Sequence, residues 1–425
     1  MKPHKPRRPA SRRPRPPAQP RIGLALAGGG PLGAIYEIGA LSALAESLEG
    51  VDLNDLDIYV GVSAGGFIAA ALANGLTPHQ MSRAFIEGEK SHDRFEPAML
   101  LRPALREYAR RLASLPPLLL GAVWHYALGG ASSMMSAFSR LGRAIPTGVF
   151  SGDEVDRYLA AAFSAPGRTN DFRRLMRKLY LVATDLDTGA SVAFGSPGTE
   201  HVPISRAVQA SAALPGLFPP VEIDGRYFVD GALRKTLHAS VALEQGVDLM
   251  LCMNPLVPFD STPSSREFAG TGEHGLEKLV EGGLPVVLAQ TFRSLIHSRL
   301  GAGLERYKTA YPKTDILLFE PNRADADMFF TNLFSYSSRR RLCEHAYQKT
   351  RAELWARRHE LAPVLARHGV ALRTEVLRDR SLTLVKSLRR SRGLWRETAS
   401  TAATRLLTHT LDDLQRWLIY TGSAA

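Results

Sequence analysis

Two short segments of this 425-residue chain combine glycines with a reactive side chain, and a third consists mainly of glycines whose backbone N–H groups can bind an anion. Residues 28–33 read GGGPLG, residues 61–65 read GVSAG, and residues 230–232 read DGA. A serine hydroxyl is a poor nucleophile at neutral pH, and it needs a base within hydrogen-bonding reach to accept its proton. An aspartate can accept that proton directly. The three segments therefore predict ester cleavage, provided that the fold brings them together.

The first segment has the composition of an anion-binding turn. Glycine permits backbone conformations that aim consecutive N–H groups at one point in front of a helix. The bound anion is either a phosphate, because Gly28, Gly30 and Gly33 satisfy G-x-G-x-x-G, or the transient oxyanion of an ester under attack. Pro31 has no N–H, so the donors must come from Gly29, Gly30 or a neighbouring position.

The second segment has the pattern of a nucleophile elbow. Gly61 and Gly65 flank Ser63 at the spacing G-x-S-x-G, where bulk would clash with the neighbouring backbone of a sharp strand-to-helix turn. An isolated G-x-S-x-G is usually an ordinary glycine-rich turn. Here it directly follows a predicted strand at residues 57–60 and precedes a predicted helix at residues 67–73. It also lies one βα unit beyond the glycine turn, so we expect the two on adjacent strand ends.

The third segment supplies a carboxylate at the end of another predicted strand, residues 226–229. Gly231 lets the chain turn after the strand, so that Asp230 can project into a cleft. A lone Asp-Gly pair is normally only a turn. Because 230 − 63 = 167 positions separate Asp230 from Ser63, only the fold can bring them together.

The surrounding pattern predicts an α/β fold. An apolar run from Ile22, a helix at residues 34–48, and the strand and helix on either side of Ser63 form a βαβα unit, which implies a parallel sheet with helices on its faces. Short apolar strands are predicted to extend this sheet at residues 178–184, 191–195, 226–229, 248–253 and 315–319.

The predicted domain organisation has three parts. Residues 1–21 are proline-rich and basic, and we expect a disordered tail. Residues 22–256 form the catalytic domain, with a helical insertion at about residues 78–147. The insertion contains the apolar stretch 112–130, which is either a lid whose surface meets lipid or a buried helical hairpin. Residues 257–425 are expected to be mainly helical, with one further core strand at about residues 315–319.

Composition and charge limit the partners and the location. The formal net charge of +12 favours anionic partners such as phospholipid headgroups or nucleic acid, and no nucleic-acid motif accompanies it. Cys252 and Cys343 are far apart and have no metal-ligand spacing, so neither a disulfide nor a metal site is expected. The N-terminus lacks the apolar region of a signal peptide. We therefore expect a cytoplasmic protein with peripheral membrane contact.

Taken in this order, the three motifs resemble those of the patatin-like phospholipase family. The segments at residues 183–189 and 207–220 are also similar to segments that the family places between its catalytic residues, and the likeness covers about residues 22–256. The resemblance implies a three-layer fold around a central, mainly parallel sheet. It also implies that Ser63 is the nucleophile, Asp230 the base, and Gly28, Gly29 and Gly30 the oxyanion region. The accompanying motif positions are Gly33, Gly61, Gly65, Gly231 and Ala232.

The resemblance further implies a lipid substrate, either a phospholipid or an acylglycerol, with no metal or cofactor. One position departs from the family pattern. The family usually has Arg or Lys where this chain has Leu32, and this bears on how the glycine turn is braced.

Three other classes of protein fit parts of the pattern. A dinucleotide-binding protein would use G-x-G-x-x-G but needs an acidic residue at the end of its second strand, where this chain has Ser63. A Ser-His-Asp hydrolase would use His238 or His297 as its base, although neither lies in a distinctive motif. A catalytically silent lipid-binding protein would leave Ser63 and Asp230 without a role.

Overall fold

A computed structural model describes residues 20–87, 100–105, 107–113, 115, 145–260, 279–323, 325, 329 and 336–388. The centre of the predicted insertion, the basic C-terminal segments and most of the predicted tail lie outside these residues. Arg21, at the end of that tail, already belongs to the fold. Its N–H donates to Asp248 Oδ2 at 2.7 Å, and its carbonyl oxygen accepts from the N–H of Asp248 at 2.8 Å.

An eight-stranded, mainly parallel sheet forms the centre of the molecule, which confirms the predicted fold class. The strands are β1 (Ile22–Leu26), β2 (Leu48–Glu49), β3 (Ile58–Val62), β4 (Lys178–Asp185), β5 (Ser191–Phe194), β6 (Val221–Ile223), β7 (Arg226–Asp230), β8 (Leu249–Met253), β9 (Asp315–Phe319) and β10 (Ala371–Leu372). The order across the sheet is β6-β7-β4-β3-β1-β8-β9, with β5 also paired to β4, while β2 and β10 form a separate antiparallel pair. From β4 to β9 along this order all neighbours are parallel; β5 and β7 run antiparallel to β4, and β6 runs antiparallel to β7.

Helices cover both faces of the sheet. They are α1 (Gly30–Ser47), α2 (Ala64–Ala73), α3 (Pro78–Met81), α4 (Asp153–Phe163), α5 (Ile204–Ser211), α6 (Ser240–Leu243), α7 (Gly283–Ala310), α8 (Tyr336–Ala356), α9 (Arg358–Ala366) and α10 (Thr374–Arg378). Successive residues of β1 show the layering, because side chains alternate along a strand. Leu24 and Leu26 pack in one core with α1, α2, α5 and α8, whereas Ala25 packs in a second core with α6 and α7.

Helix α1 is buried between the sheet and α8. The two helices approach closely at Gly39, where an added Cβ would lie 2.9 Å from the Cβ of Ala346 and 3.1 Å from the N of Tyr347. The Tyr347 hydroxyl also donates to Glu46 near the end of α1. The helical C-terminal region therefore packs directly on the first βα unit. Within the described parts of the chain, no helix is both long and apolar enough to cross a bilayer.

Candidate active site

The backbone at Ser63 forms a sharp turn between β3 and α2. Ser63 has φ 54° and ψ −125°, a conformation that costs a non-glycine residue free energy and that clusters at functional sites. The flanking glycines are required by close backbone approach. A Cβ on Gly61 would lie 2.5 Å from Gly66 Cα, and one on Gly65 would lie 2.6 Å from Leu26 C. The sequence pattern therefore folds into the predicted elbow.

A buried serine on α5 holds this turn in place. The N–H of Ser63 donates to Ser211 Oγ at 2.8 Å, and the Ser211 hydroxyl donates in turn to the carbonyl oxygen of Val182 at 2.6 Å. Ser211 is fully buried. Sequence reasoning assigned it no role, although it lies within the segment 207–220 that carries part of the family resemblance.

Asp230 lies beside Ser63 because two strand pairings bring their ends together. Asp230 is paired with Ala183 in β4, and the neighbouring residue Val182 is paired with Val62 in β3. The Ser63 hydroxyl is close enough to the Asp230 carboxylate to lower the pKa of that carboxyl group. Both side chains are buried, with Ser63 8% and Asp230 3% exposed. The fold thus places side by side two residues that the sequence separates by 167 positions.

Burial sets the proton affinity of this carboxylate. Desolvation raises the pKa of Asp230 from 3.8 to about 6, because a buried site disfavours the charged form. The hydrogen bond from the Ala232 N–H, at 2.8 Å from Oδ1, and the nearby Ser63 hydroxyl both lower this pKa. At neutral pH the group is a carboxylate that accepts a proton more readily than an exposed aspartate does.

The glycine turn lies directly against the serine. A Cβ on Gly28 would lie 2.9 Å from Ser63 Cβ and 3.5 Å from its Oγ. No hydrogen bond from the N–H of Gly28, Gly29 or Gly30 ends on another described residue, and Gly30 begins the 18-residue helix α1. The N–H of Gly33 is already used, since it donates to the Gly29 carbonyl oxygen at 3.0 Å.

Pro255, which follows β8, packs against this turn. A Cβ on Gly29 would lie 2.7 Å from Pro255 Cγ, and one on Gly33 would lie 3.0 Å from the same atom. Leu32, in place of the family's usual basic residue, packs against the main core. The support of the turn in this chain is apolar, and the sequence alone did not reveal it.

The two candidate histidines are engaged elsewhere. His238 is buried, and desolvation lowers its pKa to about 4, so the ring is neutral. Its Nε2 lies 3.1 Å from the carbonyl oxygen of Gly231, an acceptor, so Nε2 carries the proton and donates. His297 contacts Arg323 and lies 4.0 Å from Glu320. Among the described residues, neither ring is hydrogen-bonded to the Ser63–Asp230 pair.

The remaining motif residues shape the turn after β7. A Cβ on Gly231 would clash with the Val182 carbonyl oxygen and lie 3.1 Å from Val62 Cγ1, so glycine is required there. Ala232 is buried in the second core. In the described part of the chain no cluster of three or more His, Cys, Asp or Glu side chains could hold a metal ion. Cys252 and Cys343 are both buried and form no disulfide.

A hydroxyl beside a buried carboxylate can attack a carbonyl group, and free backbone amides at a helix N-terminus can hold the resulting oxyanion. The arrangement has the features of a hydrolase active site. The family model described as patatin-like phospholipase matches residues 24–243, and the chain belongs to this family.

Two solved structures show partial similarity to this chain. VipD from Legionella pneumophila is 16% identical with a TM-score of 0.36, and the match covers 79% of this chain and 66% of VipD. The type III effector protein ExoU is also 16% identical, with a TM-score of 0.33, and the match covers 80% of this chain and 54% of ExoU. This chain thus spans between about half and two thirds of the length of these proteins.

Proposed function

We propose that this chain is a serine lipid acyl hydrolase of the phospholipase A type, which cleaves carboxyl esters of lipids. Ser63 is the nucleophile, Asp230 is the base, and the amides of Gly28, Gly29 and Gly30 form the oxyanion hole. The observation that carries the proposal is the position of the Ser63 hydroxyl beside the buried Asp230 carboxylate, in a chain of the patatin-like phospholipase family.

In the first half-reaction, Ser63 Oγ attacks the ester carbonyl carbon while its proton passes to Asp230. The carbonyl oxygen becomes an oxyanion, which the glycine amides and the N-terminus of α1 stabilise. When the tetrahedral intermediate collapses, the C–O bond to the alcohol breaks and Asp230 returns the proton to the leaving oxygen. The acyl group remains on Ser63.

In the second half-reaction, Asp230 takes a proton from water, whose oxygen attacks the acyl carbon. The same amides hold the second oxyanion. Collapse releases the fatty acid and returns the proton to Ser63 Oγ. A pKa of about 6 suits this role, because a base is most effective when its pKa lies near the working pH.

The proposal is tested by profiling the products that wild-type protein and variants release from mixed phospholipids and acylglycerols. Ser63→Ala and Asp230→Asn should each abolish the release of fatty acid, whereas Ser164→Ala, which alters an exposed hydroxyl at the end of α4, should not. His238→Gln serves to detect a histidine base. Fatty-acid release by Ser63→Ala at the wild-type rate would refute the proposal.

A further inference from the structure

Helix α7 exposes apolar side chains on the face that points away from the protein. Leu284, Val287, Leu288 and Leu295 are between 38% and 69% exposed. Their spacing of three, four and seven residues places them on one side of the helix. On the opposite side of the helix, Ile296 and Leu300 are buried in the second core. The exposed apolar side chains thus lie in the N-terminal half of the helix, whereas its contacts with the second core begin at Phe292.

This helix is attached to the turn that follows Asp230. The Arg299 side chain donates to the carbonyl oxygen of Leu233 at 2.7 Å, and the Thr236 hydroxyl donates to the carbonyl oxygen of Ile296 at 3.1 Å. Leu233 is three residues beyond Asp230 in the chain. The apolar face thus lies on a helix that borders the candidate active site.

A second group of exposed apolar side chains lies on the other side of Asp230. The Asp230 N–H donates to the Ala213 carbonyl oxygen at 3.0 Å, and the chain that continues from Ala213 pairs with the end of the predicted insertion. There, the Phe150 N–H donates to the carbonyl oxygen of Leu217 at 2.8 Å. The exposed apolar residues of this region are Leu101, Leu105, Leu112, Ile145, Val149 and Leu217.

Cationic side chains accompany the α7 face. Arg234 and Lys235 are exposed on the turn after Asp230, and Arg299 and Arg306 are exposed on α7 itself. Arg306 lies eleven positions beyond Leu295, which places it on the same side of the helix. Within the described residues, no carboxylate lies within ion-pair distance of these four side chains. An apolar stripe beside cations that form no ion pair complements a surface with an apolar interior and negatively charged groups at its boundary with water.

From this arrangement we infer that the outward face of α7 (Leu284, Val287, Leu288 and Leu295, with Arg306) docks the protein on an anionic phospholipid surface. The leucines enter the boundary between headgroups and acyl chains, and the cations contact the lipid phosphates. The helix that carries this face is hydrogen-bonded to the turn after Asp230, so docking holds that turn close to the bilayer. The inference names the surface on which the proposed lipid hydrolase works, and it is testable without catalysis.

A fluorescent reporter tests the contact itself. Cys252 and Cys343 are fully buried, so a thiol-reactive, environment-sensitive dye attaches selectively to a new surface cysteine. Leu288→Cys places the dye on the proposed face. Met176→Cys is the matched control, because Met176 is 61% exposed. It precedes the N-terminal end of β4, whereas Ser63 follows the C-terminal end of the parallel strand β3. Both are prepared in the Ser63→Ala background, so that the vesicles stay intact.

With vesicles of phosphatidylcholine and phosphatidylglycerol, the dye at position 288 should shift to shorter wavelength and gain intensity, and the dye at position 176 should not change. Pure phosphatidylcholine should give a weaker response, and added salt should weaken the response to anionic vesicles. Equal responses at both positions would overturn the inference. So would a change at position 288 that depends on protein concentration without vesicles, because it would mean that a second copy covers the face.

Unlabelled variants measure the strength of binding by co-sedimentation. Leu284→Ser/Leu288→Ser/Leu295→Ser should reduce partition onto anionic vesicles by about a hundredfold or more, since each buried leucine contributes on the order of tenfold. Arg306→Gln should reduce it by about fivefold on anionic vesicles only. Wild-type binding by the triple variant would refute the inference. Vesicle binding by a protein that releases no fatty acid would refute the proposed function instead.

Discussion

At the scale of single residues, the main conflict in this molecule is between burial and charge at Asp230. A base must be ionised to accept a proton, yet desolvation raises the pKa of Asp230 to about 6. We therefore expect kcat for a water-soluble ester to fall as the pH drops through about 6, and to level off above pH 7. The pH profile of kcat measures this. A midpoint near 4, the value of an exposed aspartate, would contradict it.

The same burial predicts that the site reduces stability. The folded pKa is above the unfolded value of 3.8, so between about pH 4 and pH 6 the folded state binds more protons and stability falls as the pH rises. At 1.36 kcal/mol per pKa unit, the cost reaches about 3 kcal/mol at neutral pH. Asp230→Asn should therefore unfold at a higher urea concentration than wild type at pH 8, with no difference at pH 4. A less stable variant at pH 8 would contradict this.

Ser211 is expected to position the nucleophile without touching substrate. Ser211→Ala leaves the buried N–H of Ser63 and the carbonyl oxygen of Val182 without their hydrogen bonds. We expect kcat to fall ten- to a hundredfold, on the order of 1.4 to 2.8 kcal/mol, with little change in KM.

The matched control for this prediction lies on the same helix. Ser205 is also buried in α5, and its hydroxyl accepts from Asn170 Nδ2 at 3.0 Å. Ser205→Ala should lower the free energy of unfolding about as much as Ser211→Ala does, but it should leave kcat unchanged. If Ser205→Ala and Ser211→Ala lowered kcat equally, the role of Ser211 would be one of stability alone.

At the scale of elements, the sequence predicted the strands and helices that carry the site. Apolar runs bounded by glycines indicated β1 and β3, and β9 was predicted at its observed boundaries. α1 begins four residues before the predicted start, because proline is tolerated in the first turn of a helix. α2 begins directly after Ser63, because the elbow glycines are part of its first turn.

The short strand β6 was missed, although a local signal for it exists. Asp224 and Gly225 join β6 to β7, and both have positive φ values of 52° and 74°, as in the tightest hairpin turns. An Asp-Gly pair between apolar runs predicts such a hairpin. β6 has only three residues, too few for an alternating pattern to be recognised.

The residues that support the site could not be predicted from sequence for a different reason. Pro255 and Ser211 contact the glycine turn and Ser63 only through the three-dimensional fold, and neither belongs to a chemical motif. A buried serine or a proline after a strand is common in any α/β protein. The nucleophile, the carboxylate and the glycines were recognisable because their spacing has chemical meaning by itself.

The glycine turn gives a prediction at the element scale. In Gly29→Ala the new Cβ meets Pro255 Cγ at 2.7 Å and Gly33 Cα at 2.8 Å, so the turn must move away from Ser63. Since one misplaced oxyanion donor costs about a hundredfold in kcat, we expect a loss of that size. Adding Pro255→Ala removes the first clash and should restore part of the rate. A Gly29→Ala variant with wild-type kcat would remove the glycine turn from the mechanism.

At the scale of the whole molecule, the C-terminal helices complete the core of the catalytic region. Composition and periodicity predicted amphipathic helices after residue 322, but not which surface they cover. In the structure, α8 packs along α1, and β9 extends the same sheet beyond β8. The outward apolar side of α7 was also not predicted from the sequence.

The close approach of α1 and α8 predicts that a single methyl group weakens the whole fold. In Gly39→Ala the new Cβ would clash with the Cys343 carbonyl oxygen and lie 2.9 Å from Ala346 Cβ. Overpacking of this kind costs about 1–3 kcal/mol, which outweighs the gain of about 1 kcal/mol in helix propensity. Urea unfolding should therefore show a lower midpoint for Gly39→Ala.

Gly301→Ala is the matched control, because Gly301 lies in α7 with no atom within 4 Å of an added Cβ. There only the helix propensity changes, so the free energy of unfolding should rise by about 0.5–1 kcal/mol. The urea midpoint should therefore be higher than that of wild type. Since α1 begins at the glycine turn and ends against α8, Gly39→Ala should also lower kcat if the strain reaches Gly30. Equal stabilisation by both substitutions would show that the two helices separate freely, and that the C-terminal region is not part of the catalytic core.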